Sequence, residues 1–164
     1  MRSDGSIVGW GRNILGETIP PDSNDYVAIE AADRYSLALK SDGSIVGWGA
    51  NWDGEATPPD GNDFVAIAAG WRHYLALKSD GSIIDWGYKG YGEYTTPDGN
   101  DFIAISAGYS YFLALKKDCS IVGWGDNYIG QAAPPEGDYF ITIAARHHSL
   151  AIRKEPDPNE IVED

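Results

Sequence analysis

The sequence predicts an all-β fold, a β-propeller built from four antiparallel blades of 38 residues each. Three observations predict it: an internal repeat, short apolar strands separated by turn residues in every copy, and no ten-residue stretch with helical periodicity. The repeat is marked by tryptophans 38 positions apart, Trp10, Trp48, Trp86 and Trp124. A unit of three or four strands cannot bury both faces alone, so the copies must stack face to face around an axis.

Each unit reads as three strands in a fixed order. Residues 64–69 form an apolar first strand rich in β-branched residues, and residues 74–78 form the second. A Ser-Asp-Gly-Ser turn, as at residues 41–44, then leads into a third strand, as at residues 44–49. The Pro-Pro segment that follows cannot be a central strand because proline has no amide hydrogen to donate. The four strand tryptophans recur in every copy, which predicts a packing role for each of them.

The fourth copy departs from the repeat at two places. Cys119 replaces the glycine of the Asp-Gly turn, and glycine adopts positive φ at lower cost than any other residue. The sequence therefore predicts a strained turn there, or a turn of another type. One residue is also missing near Ala145, because Ile152 rather than residue 153 continues the leucine row. We expect this deletion to lie in a loop.

The two ends of the repeat region carry complementary halves of one hairpin. Residues 4–10 match the second half of the internal pattern, and residues 149–152 match the first half. The amino-terminal strand is therefore predicted to complete the last blade, either within one chain, giving four blades, or between two chains, giving eight. Narrow blades are hard to pack around a four-fold axis, which favours the two-chain ring, a homodimer. The repeat domain is assigned to residues 1–153, and residues 154–164, with two prolines and five acids, are assigned to a flexible acidic tail.

Composition and charge exclude several classes of function. The chain has 43% hydrophobic residues, 12% aromatic residues and a net charge of −13. Of its 25 acidic residues, 15 recur at repeat positions in or beside turns, so turn formation explains most of the charge. Nucleic acid is an unsuitable partner because phosphate contacts need a basic surface. Without a run of 18 apolar residues we expect no membrane-spanning helix, and one cysteine with three histidines predicts no metal site and no cofactor.

Sequence motifs in the units resemble a known family. Residues 69–77 read Ala-Gly-Trp-Arg-His-Tyr-Leu-Ala-Leu, residues 80–81 are Asp-Gly, and residues 124–131 read Trp-Gly-Asp-Asn-Tyr-Ile-Gly-Gln. This pattern resembles the repeat of the regulator of chromosome condensation superfamily over residues 1 to 153, which implies a propeller. Within the superfamily, the compact unit is most similar to repeat-built β-lactamase inhibitory proteins of bacteria. That similarity implies an extracellular or secreted protein that grips a target through loops on one face, although the residues themselves leave the compartment open.

Loop residues that differ between the copies are the candidates for binding. Packing demands are the same in every blade, so packing alone does not explain Asp33, Trp71, Tyr109 and Arg146 at one equivalent position. Aromatic residues and arginine are enriched in binding hot spots, while neutral drift on an exposed loop is the alternative. The resemblance implies contacts from this loop and from the loop after each Trp-Gly. The candidate protein-binding residues are Asp33, Arg34, Trp52, Trp71, Arg72, Tyr88, Lys89, Tyr109, Tyr128, Arg146 and His147.

The sequence offers no catalytic set. Glu30 and Asp85 are carboxylates that break the repeat, but they lie on strands of different units and nothing in the sequence brings them together. His73 stands where other copies have Tyr35 and Tyr111, which favours a hydrogen-bonding anchor over a catalytic base. We therefore predict no enzyme activity and assign no catalytic residue.

Three hypotheses for function follow. The leading one is a protein-binding propeller, inhibitor-like, that buries aromatic loop residues and pairs Arg34, Arg72 and Arg146 with acidic groups of its partner. The second is a carbohydrate-binding propeller, in which Tyr88 and Tyr91 stack on sugar rings. The third is a structural or engineered repeat fragment without a partner of its own, which the near-identity of residues 58–64 and 96–102 favours.

Overall fold

A computed structural model describes residues 5–88 and 95–154 of the chain. Within these residues the chain forms eleven strands and no helix, which confirms the all-β prediction. None of the described residues belongs to a helix long and apolar enough to cross a membrane. The strands are β1 (Tyr26–Ala31), β2 (Tyr35–Lys40), β3 (Ile45–Gly49), β4 (Phe64–Ala69), β5 (His73–Lys78), β6 (Ile83–Gly87), β7 (Phe102–Ala107), β8 (Tyr111–Lys116), β9 (Ile121–Gly125), β10 (Phe140–Ala145) and β11 (Ser149–Arg153).

The strands form one small antiparallel sheet per repeat. The first three sheets have the orders β1-β2-β3, β4-β5-β6 and β7-β8-β9, and the fourth pairs β10 with β11. The predicted first strand has the same bounds as β4, the second begins one residue early at His73, and the third begins one residue late at Ile45. The residue lost in the fourth copy lies in its loop, because Ala145 pairs with Ser149 where Ala31 pairs with Ser36.

Every hairpin turn between second and third strands is built in the same way. Asp42 Oδ1 accepts hydrogen bonds from the Ser44 amide at 2.9 Å and from the Ser44 hydroxyl at 2.6 Å, and these bonds lower the pKa of Asp42. Gly43 has φ 83°, the left-handed conformation that such a turn requires. Asp80 and Asp118 repeat the arrangement with Ser82 and Ser120. These acids serve turn formation, as the sequence predicted.

The turn at Cys119 keeps the shape that glycine gives elsewhere. Cys119 has φ 65°, and its amide donates to the Lys116 carbonyl at 3.0 Å, as Gly43 donates to Lys40. A Cβ at Gly43 would lie 2.3 Å from the Asn62 carbonyl oxygen of the segment that faces it. The corresponding segment facing Cys119 contains Tyr139, which also has a positive φ, 73°. The prediction of a strained turn is confirmed.

Adjacent sheets pack face to face and form the core between them. Leu37 and Leu39 of the first sheet pack with Ile67 of the second, and Leu77 of the second packs with Phe102 of the third. Trp86 is part of this core, with its ring 5.3 Å from that of Tyr74. Trp124 is half-buried and packs against the core between the second and third sheets. The predicted core role is therefore confirmed for Trp86 and Trp124, whereas Trp48 is half-buried.

Trp10 is the exception among the strand tryptophans. Its side chain is 84% exposed, whereas Trp86 is 9% exposed. Residues 5–10 lie against the first sheet as residues 43–48 lie against the second, because the Tyr26 amide donates to the Gly5 carbonyl at 3.3 Å. They are not paired in a sheet, so no neighbouring strand covers the indole. The expectation that Trp10 packs in the core is therefore wrong for the single chain.

The predicted closure within one chain is not present in the described residues. β11 pairs with β10 alone, and residues 5–10 take no place beside it. The two-chain ring stays a prediction. Of the predicted acidic tail, Lys154 is exposed, and residues 155–164 lie outside the described residues.

Candidate protein-binding face

The loops between the first and second strands of successive units lie in a row. Their backbones are joined from unit to unit: the Trp71 amide donates to the Tyr109 carbonyl at 3.1 Å, and the Tyr109 amide donates to the Arg146 carbonyl at 2.8 Å. Tyr35 adds a third link, since its hydroxyl donates to the Gly70 carbonyl at 2.7 Å. Equivalent residues, 38 positions apart in sequence for Trp71 and Tyr109 and 37 apart for Tyr109 and Arg146, therefore become neighbours on one surface.

Three aromatic side chains stack along this row of loops. The rings of Trp71 and Tyr109 are 4.9 Å apart with an interplanar angle of 12°, and those of Tyr109 and His147 are 5.6 Å apart at 24°. We call these three residues the aromatic row. Each ring limits the motion of its neighbour, so the row presents a preorganised surface. The structure thus places three sequence candidates from three units in one continuous group.

Arg72 holds the next part of the face together. Its guanidinium carbon lies 4.6 Å from the centre of the Tyr88 ring and 5.7 Å from that of Trp71. The same group pairs with Asp53 and, at 3.3 Å, with the buried carboxylate of Glu55. Breaking that pair would leave Glu55 as an uncompensated buried charge. Arg72 is thus engaged within the chain, and its expected pairing with acidic groups of a partner stays a prediction.

Asp53 and Glu55 are the ion-pair partners of Arg72, and the sequence analysis did not predict them. Glu55 belongs to a row of repeated acids that was assigned to turns. Asp53 did carry a signal, because the equivalent residues are Leu15, Tyr91 and Ile129. A charge that appears in one copy only marks Asp53 as a residue that the repeat's packing does not explain, but it does not identify Arg72 as its partner.

The first unit contributes a second group beside the aromatic row. Arg34 lies over the Trp52 ring at 5.4 Å and pairs with Asp33 at 3.2 Å. Trp52 is exposed, and Trp71 is half-buried. Between these two groups is an open pocket of about 210 Å³, lined by Asp33, Arg34, Tyr35, Ala50, Trp52, Glu55, Trp71 and Arg72. An apolar side chain of a partner could enter this pocket and contact both indoles.

Two candidates stand apart from these groups. Tyr128 is almost fully exposed, and its ring contacts none of the three rings of the aromatic row. Arg146 is exposed, and within residues 5–88 and 95–154 its side chain forms no ion pair. Lys89 lies outside the described residues. Arg146 is thus a candidate cation for pairing with a partner.

The carboxylates considered as catalytic groups have structural partners. Glu30 accepts a hydrogen bond from the Ala69 amide in the next sheet, and burial raises its pKa. Asp85 Oδ1 accepts a hydrogen bond from the Thr96 hydroxyl at 2.8 Å. Among the described residues, no group of three His, Cys, Asp or Glu side chains could hold a metal ion. His73 is buried with its ring 5.7 Å from that of Phe112, which agrees with a structural role at this position.

Comparison with known proteins supports the fold. Residues 64–93 match the family model of the Regulator of chromosome condensation (RCC1) repeat. No curated protein sequence matches the chain. The ectodomain of the Physcomitrella patens receptor kinase CR4 is 23% identical, with a TM-score of 0.73, over 89% of this chain and 43% of that chain. Prp20p from Saccharomyces cerevisiae, described with its binding properties to Gsp1p and histones, is 17% identical, with a TM-score of 0.67, over 89% of this chain and 51% of that chain.

A third solved structure gives the same result. The CRINKLY WD40 ectodomain of the Arabidopsis thaliana receptor kinase ACR4 is 24% identical, with a TM-score of 0.63, over 77% of this chain and 45% of that chain. The chain spans about half the length of these solved proteins or less. At this level of identity the comparison shows the fold alone: an all-β array of repeated three-stranded sheets, similar to RCC1-type propellers.

Proposed function

We propose that this chain is a protein-binding propeller module whose partner docks on the face formed by the aromatic row and the Arg34–Trp52 group. The observation that carries the proposal is the stack of Trp71, Tyr109 and His147 across three units. These residues differ between copies, so the repeat's packing does not require them. A stack assembled from variable positions is what selection for binding would produce.

The chemistry of the face fits a protein surface with both apolar and acidic groups. Trp52 and the edges of the stacked rings offer apolar area at low entropic cost, because the stacking already restricts the rings. Among the described residues Arg34 forms an ion pair with Asp33 alone, and an exposed pair of this kind contributes about 0–1 kcal/mol, so it can exchange for an acidic group of a partner. Arg146 supplies a further cation. The pocket between Trp52 and Trp71 would receive one apolar anchor.

The finer proposal is inhibitor-like binding to an enzyme such as a β-lactamase. It rests on the resemblance of the compact unit to repeat-built β-lactamase inhibitory proteins and on the placement of the variable loops side by side. Solved proteins of similar fold are described as binding proteins, since yeast RCC1 (Prp20) is described bound to Kap60. That description supports protein binding as the class of function for this fold.

A sugar-binding face fits the structure less well. A stacking platform needs a free ring face: Tyr109 has none because it lies between Trp71 and His147, and Arg72 leaves Tyr88 with only one. Tyr91, the other predicted platform, lies outside the described residues. We therefore expect no binding on a glycan array, and specific hits there would contradict the proposal.

The test compares partner binding by two variants of the chain. Replacing Trp71 and Tyr109 together with alanine removes two rings of the aromatic row, and we expect affinity to fall by about 30-fold or more. The melting temperature should fall by only about 2–4 °C, because both rings lie at the surface. Purified β-lactamase is the first probe, by isothermal titration and by inhibition of its hydrolytic rate. Proteins captured on the immobilised chain, identified by mass spectrometry and then purified, are the second.

Val65→Ala is the matched control. Val65 is an exposed apolar residue of β4 outside the loops, so its change should leave affinity unaltered. Equal loss of affinity in both variants would contradict the proposed face. If no purified protein binds the unchanged chain, the hypothesis of a fragment without a partner is favoured instead.

A further inference from the structure

The two ends of the described array expose apolar positions whose counterparts in the other units are buried or half-buried. We infer that a second copy of this chain covers both ends, with β11 of one copy pairing with residues 7–11 of the other to close a two-chain ring. This inference goes beyond the proposed function, since it concerns different residues and a different partner. It rests on four observations: exposure, side-chain packing, strand register and one shared hydrogen-bond acceptor.

Exposure at equivalent positions identifies the uncovered surfaces. Leu75 in β5 is 0% exposed, whereas Leu150 in β11, at the same place in its unit, is 63% exposed. Ile67 in β4 is 8% exposed, whereas Ile29 in β1 is 61% exposed. Because the residue types are nearly the same, the difference comes from the missing neighbour. Uncovered apolar patches of this kind on a folded protein mark an interaction surface.

The two exposed surfaces are complementary to each other. Between the first and second sheets, Leu37 and Leu39 pack with Ile67. Leu150 and Ile152 occupy the positions of Leu37 and Leu39, and Ile29 occupies that of Ile67. The carboxy-terminal end of one copy therefore fits the amino-terminal end of another by the same contact that the chain makes within itself.

The register between β2 and β3 predicts how the two ends of different copies would pair. In the first sheet Ser36 lies opposite Trp48, Leu37 opposite Gly47 and Ala38 opposite Val46. Applied to the ends, this register places Ser149 opposite Trp10, Leu150 opposite Gly9 and Ala151 opposite Val8. Residues 7–11 already lie where a third strand of the repeat would lie. A Cβ built at Gly9 would be 2.2 Å from the Thr18 carbonyl oxygen, and a Cβ built at Gly123, in the third strand β9, would be 2.2 Å from the Ala132 carbonyl oxygen.

One backbone carbonyl, that of Gln131, would accept a hydrogen bond from the second copy. The Glu17 carbonyl accepts from the Ser36 hydroxyl at 3.0 Å and from Trp48 Nε1 at 2.9 Å. At the last unit the Gln131 carbonyl accepts from the Ser149 hydroxyl at 2.6 Å, the first half of that arrangement. Trp10 of the second copy would supply the indole donor. The exposed Trp10 of one copy would thus donate a hydrogen bond to the Gln131 carbonyl of the other.

The extent of the array relative to a solved propeller favours two copies. Superposition on Prp20p covers 89% of this chain and 51% of that chain, so the four units align with about half of that protein's length. A head-to-tail interface closes into a ring when the rotation per copy divides a full turn, and half a turn per copy closes with two. Self-closure of four units would need about 90° per unit, and the ends of the described chain do not meet in that way.

Mass in solution is the first test. Light scattering over a concentration series should give twice the chain mass of 17.8 kDa. Trp10→Ala should lower the mass to that of one chain, while Trp52→Ala, which removes an exposed indole away from the ends, should leave the dimer intact. One chain at every concentration, or assemblies larger than two, would overturn the inference.

Cysteine pairing tests the register itself. In a Cys119→Gly background, one chain carries Val8→Cys and another carries Ala151→Cys, and the two are mixed and oxidised. Opposite residues in an antiparallel pair have Cα atoms about 4.5–5.5 Å apart, within the range for a disulfide. The mixture should give a covalent dimer, and Arg153→Cys in place of Ala151→Cys, two residues out of register, should not.

The same cysteines distinguish closure between copies from closure within one. A chain that carries both Val8→Cys and Ala151→Cys should form intermolecular links only. A fast-migrating, internally linked monomer, together with no dimer from the mixed single variants, would show self-closure and overturn the inference.

Discussion

The middle and the ends of this array have nearly the same sequence and very different environments. Leu75 lies between two sheets and does not contact water, while Leu150 has the same place in the repeat and lies mostly in solvent. The same contrast separates Trp86 from Trp10 and Ile67 from Ile29. Burial in this fold is therefore set by whether a neighbouring sheet is present, and residue type alone does not determine it. In repeat proteins, stability depends correspondingly on the interfaces between units.

The largest expected effect tests this contrast directly. In a Trp10→Ala background, in which we expect the chain to be single, Leu75→Ala should lower the free energy of unfolding by about 3 kcal/mol, because it leaves a cavity between two sheets. Leu150→Ala in the same background should cost below about 1 kcal/mol, since water already reaches the side chain. Urea unfolding followed by tryptophan fluorescence measures both.

The same two leucine substitutions can also be compared in a chain that keeps Trp10. If two copies join, Leu150→Ala gains a cost there that depends on protein concentration, because it weakens the contact between copies. Leu75→Ala should show no such dependence. Equal costs for the two leucines in the single chain would mean that the ends are packed, and the contrast would be lost.

The same contrast explains how far the sequence could predict the fold. The bounds of β4 follow from its apolar run and the flanking turn residues, which are local signals repeated four times. The exposure of Trp10 could not be predicted, because it depends on which strand lies beside residues 5–10. A repeat predicts the contact between neighbours, but it does not show which neighbour is absent.

The sequence could predict which residues lie together on the candidate face, but not which charged side chains pair there. Trp71, Tyr109 and His147 follow from the repeat period, since equivalent loops of adjacent units must lie side by side. The charge pairing of Arg72 could not be predicted, because Glu55 becomes a buried carboxylate only once the strand before it is placed. Side-chain partners across units depend on rotamers and burial, which periodicity does not record.

The hairpin turns offer a smaller test, because one of them has cysteine where the others have glycine. Cys119→Gly gives the β8–β9 turn the residue type of Gly43 and Gly81 in the two preceding sheets, and it should raise the free energy of unfolding by about 1 kcal/mol by relieving a left-handed non-glycine residue. Thermal unfolding of the reduced protein measures the change. Cys119→Ala is the control, since it removes the thiol and keeps the Cβ. An equal gain from alanine would show that the thiol rather than φ is the source of strain.

The smallest effect concerns the first strand of each sheet, where Glu30 in β1 stands in place of Ala68 in β4 and Ser106 in β7. Burial raises the pKa of Glu30 above its ordinary value of 4.5, so the folded chain favours the protonated carboxyl. The stability that Glu30 contributes is present below pH 4.5 and is lost as pH rises through the raised pKa. Glu30→Gln keeps an acceptor for the Ala69 amide and never ionises.

Glu30→Gln should therefore raise the melting temperature at pH 7 by about 1–2 °C, a small gain because water still reaches part of the side chain, and it should change little at pH 4. Glu136→Gln, at an exposed acid of the fourth unit, should leave the difference between the two pH values as it is. A loss of stability at pH 7 would mean that the charged carboxylate holds the first and second sheets together, as the serine hydroxyl of Ser106 does between the third and fourth by accepting the Ala145 amide at 3.0 Å. That outcome would make the contact between Glu30 and the Ala69 amide a stabilising, charge-assisted hydrogen bond between the first two sheets.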